Sequence, residues 1–422
     1  MHIHQHACDA SGSCSVFGPS ALRTRLYIRR PLPTTDSSGP RSKSAPMDLP
    51  DRQADRDEAD KHMRSPIHVT RAFLPPMAEY TALIAEVWAT GQVTNQGPLT
   101  RRLEAALDGV LGTQGTLLAG NGTIAIQLAI KALDLKGEVI TTPYSYAATT
   151  TSILWEGLTP VFADIDPRTY CIDPARIAER ITPRTTAILA THVYGVPCDV
   201  IAIEAIARKH GLKVIYDAAH VFGTTYKGRG LASYGDVATL SFHATKLFHT
   251  GEGGAMVAND PAVRDRLKLL RSFGHIDDDH FAAGVNGKNS ELHAAMGLAV
   301  LPHMPAILQR RKDQWVRYAE LLKSADLQLL HIPQDTDFNH AYFPVVFADG
   351  AQRVRVTKAM NAENIFPRRY FYPSLDRLPY LTGANECPVS ISIAERVLCL
   401  PLYHTLSTVD QELVAHTLLE AM

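Results

Sequence analysis

The sequence predicts an α/β protein in which a large domain with a mostly parallel sheet precedes a smaller C-terminal α+β domain. Between residues 67 and 302, short runs that are apolar throughout alternate with helical patterns. Such strands are typical of a parallel sheet that helices cover on both faces. After about residue 303 one long polar helix is followed by scattered strands and turns. We therefore expect a large domain at 65–302 and a small domain at 303–422.

The composition sets limits on partners and compartment. The 422 residues are 45% hydrophobic, and 42 Lys and Arg residues balance 43 Asp and Glu residues. This balance favours neither nucleic acid nor an anionic membrane as a partner, and no apolar run approaches the roughly 20 residues that span a bilayer. Six cysteines are scattered without a C-x-x-C pair, so we expect reduced thiols and a cytoplasmic protein.

Residues 1–64 differ from the remainder of the chain. They are rich in Ser, Pro, Asp and Arg and poor in apolar residues, as in DRQADRDEADKH (51–62). A segment of this kind cannot bury enough surface to offset the entropy lost on ordering. We expect it to form a disordered N-terminal extension.

The helical and extended patterns follow one another from residue 99 onward. LTRRLEAALDGVL (99–111) has a helical apolar stripe at Leu99, Leu103, Ala106, Leu107 and Val110, whereas TIAIQLAIKAL (123–133) is apolar almost all round and predicts a buried helix. DVIAIEAIARKHG (199–211) ends in a glycine cap signal. The predicted strands are VITT (139–142), PVFADI (160–165), TAILATHV (186–193), KVIY (213–216) and VATLSF (237–242).

Ligand sites in open α/β sheets lie at the carboxyl ends of the strands, and the first candidate there is AGNGT. Gly120, Asn121 and Gly122 lead into the buried helix. Glycines let a ligand approach the backbone, and a helix N-terminus binds phosphate. The spacing is neither that of a P-loop nor that of a dinucleotide fingerprint. A plain turn with a helix cap explains this stretch equally well.

Two further candidates follow neighbouring strands. Asp217 ends the strand KVIYD, where a carboxylate is either a turn or helix-cap residue or a buried anion that faces a cationic ligand. Lys246 lies in SFHATKLFHTGEGGA (241–255), after the next predicted strand, so both side chains should reach the same edge of the sheet.

An amine, an anion and a phosphate-binding helix terminus at one edge match pyridoxal 5′-phosphate, which offers an aldehyde, a ring nitrogen and a phosphate. Thr123 and Ser241 supply hydroxyls near the phosphate. Tyr144 or Tyr146 could cover the ring, although either fits core packing equally well. We expect no metal ion at this site.

Seven collinear motifs, among them TNQGPLTRRLE (94–104), YDAAHVFGTTYKG (216–228) and GVNGKNSELHAAMGL (284–298), carry a resemblance to a known family. From about Ile67 to the C-terminus, the chain resembles the DegT/DnrJ/EryC/StrS family of sugar aminotransferases. That family has the fold type I architecture of pyridoxal-phosphate enzymes, which is therefore the implied fold.

The resemblance implies a role for each candidate around the cofactor ring. Lys246 looks like the Schiff-base lysine and catalytic base, and Asp217 looks like the partner of the ring nitrogen. Tyr146 matches the aromatic position that stacks on the ring, and His220 the position near the ring hydroxyl.

The resemblance also implies phosphate contacts and a subunit arrangement. Gly122, Thr123 and Ser241 match phosphate-binding positions. Asn286 matches an asparagine that the neighbouring subunit provides, which implies a homodimer with shared active sites.

The implied reaction is the transfer of an amino group from L-glutamate to a nucleotide-linked keto-deoxysugar. The chain looks most similar to the branch that aminates carbon four of a dTDP-linked sugar, in amino-sugar, O-antigen or glycan biosynthesis. Lys288, Arg368 and Arg369 are candidates for the diphosphate, with ordinary surface charge as the alternative.

Two other functions remain open at this stage. One is another fold type I enzyme, such as a sugar dehydratase or an aldolase. A lysine rather than a histidine at position 246 favours transamination over dehydration in the implied family. The other is a non-catalytic sensor that binds the cofactor without turnover.

Overall fold

A seven-stranded sheet lies at the centre of the computed structural model, which describes residues 65–381, 383 and 385–422. The predicted extension, residues 1–64, lies outside the described residues. The strands are β1 (Leu117–Ala119), β2 (Glu138–Thr141), β3 (Thr159–Phe162), β4 (Thr185–Thr191), β5 (Lys213–Asp217), β6 (Val237–Ser241) and β7 (Gly254–Ala258). Their order across the sheet is β1-β7-β6-β5-β4-β2-β3.

The sheet is parallel except for one strand. Strands β2 to β6 pair in parallel, whereas β7 is antiparallel to both of its neighbours, β1 and β6. The five strands predicted from the sequence are confirmed to within a few residues. The sequence analysis missed β1 and β7, because one has only three residues and the other is the short run GAMVA after a glycine-rich loop.

Twelve helices of the described chain surround this sheet and extend beyond it. They are α1 (Met77–Thr90), α2 (Pro98–Leu111), α3 (Gly122–Ala132), α4 (Ala147–Trp155), α5 (Pro174–Glu179), α6 (Val200–His210), α7 (Pro261–Arg271), α8 (Glu291–Val300), α9 (Met304–Leu321), α10 (Gly350–Ala362), α11 (Pro388–Arg396) and α12 (Thr408–Ala421). Helix α6 ends as predicted, with Gly211 left-handed at φ 66°. In α2 the predicted stripe is wrong at one position, because Val110 is exposed and Leu111 is buried instead.

Both faces of the sheet are buried, as the apolar strands predicted. Along β4, Ile188 and Ala190 belong to one core cluster, and Ala187 and Leu189 belong to another. This alternation follows from the period of two in a strand. Core packing on both faces therefore fixes the positions of the strand ends. It also fixes the polar residues that follow each strand.

The C-terminal part has a core of its own. A three-stranded antiparallel sheet, in the order β8-β9-β10, consists of β8 (Gln328–Leu329), β9 (Phe343–Val346) and β10 (Val397–Leu400). Residues of α9, α10 and α12 share a core cluster with β9 and β10. This mixture of helix and antiparallel sheet has the α+β character predicted for 303–422, while the domain boundary stays a prediction. None of the described helices has the length and apolar character needed to cross a bilayer.

A buried carboxylate links two helices at the edge of the large core. Glu291, at the start of α8, is fully buried, and its two oxygens accept hydrogen bonds from the backbone N–H groups of Leu99 (2.7 Å) and Thr100 (3.1 Å). Those N–H groups belong to the first turn of α2, which has no intrahelical partner for them. The carboxylate therefore caps α2 from outside the helix.

We expect Glu291→Ala to destabilise the protein by about 2–4 kcal/mol, since it leaves two buried N–H groups unpaired and removes a charge-assisted contact. Thermal unfolding followed by circular dichroism measures the change. The Glu291→Gln variant keeps one acceptor oxygen and should lose less. Equal melting temperatures for the wild type and Glu291→Ala would contradict the capping role.

Candidate active site

A cavity of about 820 Å³ opens at the carboxyl ends of β5 and β6, beside the N-terminus of α3. The residues predicted for the cofactor all line it. They are Gly122, Thr123, Tyr146, Asp217, His220, Ser241, Lys246 and Asn286. The fold thus brings together side chains that lie up to 164 positions apart in the chain (286 − 122).

One end of the cavity is formed by the first turn of α3. Asn121 caps the helix, since its Oδ1 accepts a hydrogen bond of 2.9 Å from the backbone N–H of Ile124. The preceding N–H groups of the helix remain available to an anion. A Cβ atom on Gly122 would lie 2.9 Å from Cβ of Ser241, so only glycine fits between helix and strand. The Thr123 and Ser241 side chains line the cavity beside it.

Asp217 ends β5 and is buried beside the cavity. Its Oδ2 accepts a hydrogen bond from the hydroxyl of Thr149 (2.7 Å), and its Oδ1 accepts one from the backbone N–H of Ala219 (3.1 Å). Behind Thr149, the hydroxyls of Ser145 (2.7 Å) and Thr191 (3.0 Å from Ser145) continue the row. This row of hydroxyls fixes the carboxylate. Burial raises the pKa of Asp217, while these hydrogen bonds and the charge of Lys246 act in the opposite direction.

Lys246 follows β6 in a turn that its backbone N–H closes by donating to the carbonyl of His243 (2.8 Å). Its side chain is partly buried and lines the cavity. Burial lowers the pKa of Lys246 to about 8, and the nearby charge of Asp217 limits that fall. Far more of this amine is therefore neutral near pH 7 than of an ordinary lysine, and the neutral form is the one that acts as a nucleophile or a general base.

The two tyrosines that the sequence left undecided have different roles. Tyr144 is fully buried, and its hydroxyl hydrogen-bonds the hydroxyl of Tyr194 (2.8 Å). Tyr146 directly precedes α4, is 66% exposed and lines the cavity. Of the two, Tyr146 is therefore the one whose ring can cover a ligand.

His220 is held firmly in one orientation. Its Nδ1 accepts a hydrogen bond of 3.1 Å from the backbone N–H of Tyr194, and its ring stacks on Phe371 with an interplanar angle of 5°. Burial holds the pKa of His220 well below its usual value, with the charge of Lys246 adding to the effect. The imidazole is therefore neutral, with its proton on Nε2, where it can donate to a ligand atom.

The residues proposed for the diphosphate separate into two groups. Arg368 lines the cavity, whereas Arg369 and Lys288 do not. The guanidinium of Arg369 lies 3.3 Å from the ring centre of Tyr372, and Lys288 lies over Phe273. Arg368 is therefore the candidate that the geometry leaves for a substrate anion.

Asn286 is exposed and lines the cavity of its own chain. Its segment contacts the glycine turn that leads into α3, since the N–H of Gly120 in that turn donates to the carbonyl of Gly287 (2.8 Å). The prediction that Asn286 serves the neighbouring subunit stays a prediction.

Sequence reasoning gave no role to two charged residues on the cavity wall, Glu252 and Arg311. The helix α9 was predicted as a long polar helix. Ile307, Arg311, Gln314 and Tyr318 form its buried stripe, at spacings of four, three and four residues. That spacing was the available signal, because it places a charged residue on the apolar face of the helix.

Comparisons with known proteins agree with this geometry. The model of the DegT/DnrJ/EryC1/StrS aminotransferase family matches residues 77–419. A dTDP-4-amino-4,6-dideoxy-D-glucose transaminase from Shigella dysenteriae is 44% identical over 85% of this chain and 100% of its own length. An Escherichia coli protein of the same name is 39% identical over 81% of this chain and 95% of its own length.

Solved structures give the same result for the fold. The crystal structure of DesI, described in the presence of its TDP-sugar product, superposes with a TM-score of 0.81 at 34% identity and covers 84% of this chain and 93% of that one. The fold class predicted from the sequence, an α/β protein of fold type I, is confirmed. The chain is an enzyme that belongs to the DegT/DnrJ/EryC1/StrS aminotransferase family.

Proposed function

We propose that this enzyme uses pyridoxal 5′-phosphate to move an amino group from L-glutamate to a nucleotide-linked keto-deoxysugar. One observation carries the cofactor assignment. An amine of lowered pKa (Lys246), a buried carboxylate (Asp217) and the open N-terminus of α3 all face one cavity of about 820 Å³. These are the three partners that the aldehyde, ring nitrogen and phosphate of the cofactor need.

The residues present fit this cofactor in detail. Gly122 has no Cβ, which would lie 2.9 Å from Cβ of Ser241, so the start of α3 can approach the end of β6 closely. The phosphate would then meet the helix N-terminus with the Thr123 and Ser241 hydroxyls beside it. Asp217 keeps lone pairs beyond the two hydrogen bonds it accepts, so it can also accept from a protonated ring nitrogen.

When bound, the cofactor supplies an electron-withdrawing ring that stabilises negative charge on the substrate carbon next to the amine. Asp217 would hold a proton on the ring nitrogen by its negative charge. Lys246, with a pKa of about 8, would take a proton from the α-carbon of the donor and deliver it to the former aldehyde carbon of the cofactor. Tyr146 would cover the ring, and the Nε2 proton of His220 would orient the ring hydroxyl.

The names of the relatives support the acceptor that we propose. Two of them, 44% and 39% identical, are named dTDP-4-amino-4,6-dideoxy-D-glucose transaminases, and DesI was crystallised with a TDP-sugar product. We therefore propose dTDP-4-keto-6-deoxyhexose as the acceptor, with Arg368 at its diphosphate, and a place in amino-sugar or glycan biosynthesis. A sugar dehydratase, an aldolase and a non-catalytic sensor are not favoured, because these relatives are named as transaminases.

We also propose a homodimer with shared active sites and a cytoplasmic location. Exposed apolar side chains support an interface around the segment that carries Asn286. Phe273, Phe281 and Val285 are each more than 40% exposed. Such side chains, grouped together, are typical of a protein interface.

L-Glutamate without any sugar should convert the bound cofactor. We expect the visible absorption band of the purified protein to give way to the near-ultraviolet band of pyridoxamine phosphate. D-Glutamate is the matched control and should leave the visible band unchanged. A visible band that L-glutamate leaves untouched would contradict either the donor or the aminotransferase reaction. The enzyme in its pyridoxamine form is then separated from excess donor. It is mixed with dTDP-linked and other nucleotide-linked keto-sugars to identify the acceptor.

A further inference from the structure

Tyr194 lies in the turn after β4 and has a left-handed backbone (φ 57°, ψ 9°), although it carries a side chain. Residues other than glycine rarely adopt this conformation, and they keep it only where the surrounding contacts enforce it. Tyr194 is also fully buried. The contacts around it must therefore offset the cost of its backbone conformation.

Tyr194 contacts two segments that line the cavity. Its backbone N–H donates to Nδ1 of His220 (3.1 Å), and its hydroxyl donates to the backbone carbonyl of Tyr370. The hydroxyl of Tyr144 lies 2.8 Å from that of Tyr194 and 3.1 Å from the same carbonyl. Two hydroxyls that follow β2 and β4 therefore hold one backbone carbonyl of the C-terminal part.

A stack of aromatic rings continues this link to the cofactor site. The ring of Phe371 is nearly parallel to that of Tyr194, with centres 6.0 Å apart and an interplanar angle of 8°. It is equally parallel to the imidazole of His220, with centres 5.7 Å apart and an angle of 5°. Offset ring pairs of this kind are favourable. Because Phe371 directly follows Tyr370, the two hydroxyls also fix the ring that packs against His220.

The segment that these hydroxyls hold forms a wall of the cavity. Arg368, Tyr370 and Phe371 all line the cavity. On the side of the C-terminal sheet, Arg368 and Cys399 of β10 exchange two backbone hydrogen bonds (2.8 and 3.2 Å). The hydroxyl pair adds an anchor on the side of His220, so the wall is tied to both parts of the site.

Core packing alone does not require these hydroxyls. Phenylalanine fills nearly the same volume, and a buried phenol hydroxyl is costly unless it finds a partner. Tyr170 shows the difference, because it belongs to the same group of rings, with its ring centre 6.0 Å from that of Tyr144 and 6.2 Å from that of Tyr194. Its hydroxyl accepts instead from the side-chain amide of Gln328 (3.2 Å).

We propose that Tyr144 and Tyr194 are positioning residues whose hydroxyls hold the wall at 368–371 against His220. The wall and the imidazole then bind the acceptor sugar and the cofactor ring at a fixed separation. Neither tyrosine lines the cavity, so both act through the wall and not on the reacting atoms. This inference rests on the proposed aminotransferase function.

The first test compares Tyr194→Phe with the double variant Tyr144→Phe/Tyr194→Phe in the keto-sugar half-reaction. In the double variant we expect the keto-sugar concentration for half-maximal conversion to rise about 5–50-fold, the effect of two lost hydrogen bonds. The maximal rate should change less than about threefold, because Lys246 and Asp217 lie on other elements. Tyr194→Phe alone should lose less, since the hydroxyl of Tyr144 stays within reach of the carbonyl.

The second test needs no turnover, because it measures binding of pyridoxamine 5′-phosphate to the cofactor-free protein by calorimetry. This molecule has no aldehyde to react with Lys246, so its dissociation constant reports non-covalent contacts, among them the one from His220 to the ring hydroxyl. We expect the constant to rise about 3–10-fold in the double variant.

Tyr170→Phe is the matched control for both tests. It removes a hydrogen-bonded hydroxyl from the same group of rings but leaves the carbonyl of Tyr370 held. It should therefore match the wild type in both measurements. The melting temperature reports the loss of a hydroxyl contact, which all the variants share. If the double variant does not fold, Tyr194→Phe is judged against Tyr170→Phe instead.

The outcomes distinguish this inference from the proposed function. If the double variant matches Tyr170→Phe in both measurements, the hydroxyls serve the fold only, and the inference fails while the function stands. An equal loss in Tyr170→Phe would also overturn the inference, because the whole group of rings would then shape the cavity. A wild type that binds pyridoxamine phosphate but reacts with neither L-glutamate nor a keto-sugar overturns the proposed function, and the dissociation constants then judge the two tyrosines independently. A wild type that does not bind pyridoxamine phosphate overturns both.

Discussion

Replacing Lys246 with alanine should abolish turnover, with kcat falling about 10³-fold or more. The substitution removes both the amine that would hold the cofactor and the base that would move the α-proton. The N-terminus of α3 at Gly122 and the carboxylate of Asp217 remain, so the variant should still retain cofactor without a covalent bond. The visible band should therefore shift to that of free pyridoxal phosphate.

Borohydride reduction followed by peptide mass spectrometry checks this prediction directly. In the wild type the reduced cofactor should be attached to the peptide that contains Lys246. Lys209→Ala, on the exposed end of α6, is the matched control and should leave attachment and turnover unchanged. A reducible linkage that persists in Lys246→Ala would show that another amine holds the cofactor.

The lowered pKa of Lys246 predicts that its reaction with the cofactor depends on pH. With a pKa of about 8, roughly a tenth of the amine is neutral at pH 7, against fewer than about one in a thousand for an ordinary lysine. Because only the neutral amine attacks an aldehyde, capture of the cofactor by the cofactor-free protein should accelerate with rising pH and level off above about pH 8. Acceleration that continues to pH 10 would show that burial does not lower this pKa.

The sequence was sufficient where the chemistry lies at the end of a recognisable strand. Asp217 and Ser241 end β5 and β6, and Lys246 follows within a single turn, so the parallel pattern predicted their common edge. Gly122 was predicted because a glycine that leads into a buried helix indicates either a helix cap or a turn that binds a ligand. These signals are local, and a single sequence displays them.

The remainder of the site depends on contacts between distant segments, which no local pattern records. The hydroxyl row of Thr149, Ser145 and Thr191 requires three elements in register. His220 owes its orientation to Tyr194 and Phe371, which lie 26 residues before it and 151 residues after it (220 − 194 and 371 − 220). Arg311 was missed because α9 is polar overall, although its spacing from Ile307 and Tyr318 places it on the buried face.

Asp217→Asn should reduce kcat by about 10²–10³-fold while it leaves the protein folded. The amide has nearly the same shape as the carboxylate and keeps one oxygen for the N–H of Ala219, and the Thr149 hydroxyl can turn to accept from the new NH₂ group. It carries no negative charge, so it cannot hold a proton on the ring nitrogen. Thr149→Val, which removes one hydrogen bond and keeps the charge, should cause a much smaller loss.

The stability of the cofactor-free protein decides between the two roles that the sequence left open for Asp217. Burial raises the pKa of this carboxyl in the folded state, so its charged form opposes folding at neutral pH. Asp217→Asn without cofactor should therefore melt at the same temperature as the wild type or higher at pH 7. That advantage should shrink as the pH falls through the folded pKa towards the unfolded value near 4. A turn or cap residue predicts the opposite, a variant that is less stable at pH 7. Lower activity together with equal or higher stability would show that Asp217 is retained because its negative charge acts on the cofactor, and not because it stabilises the fold.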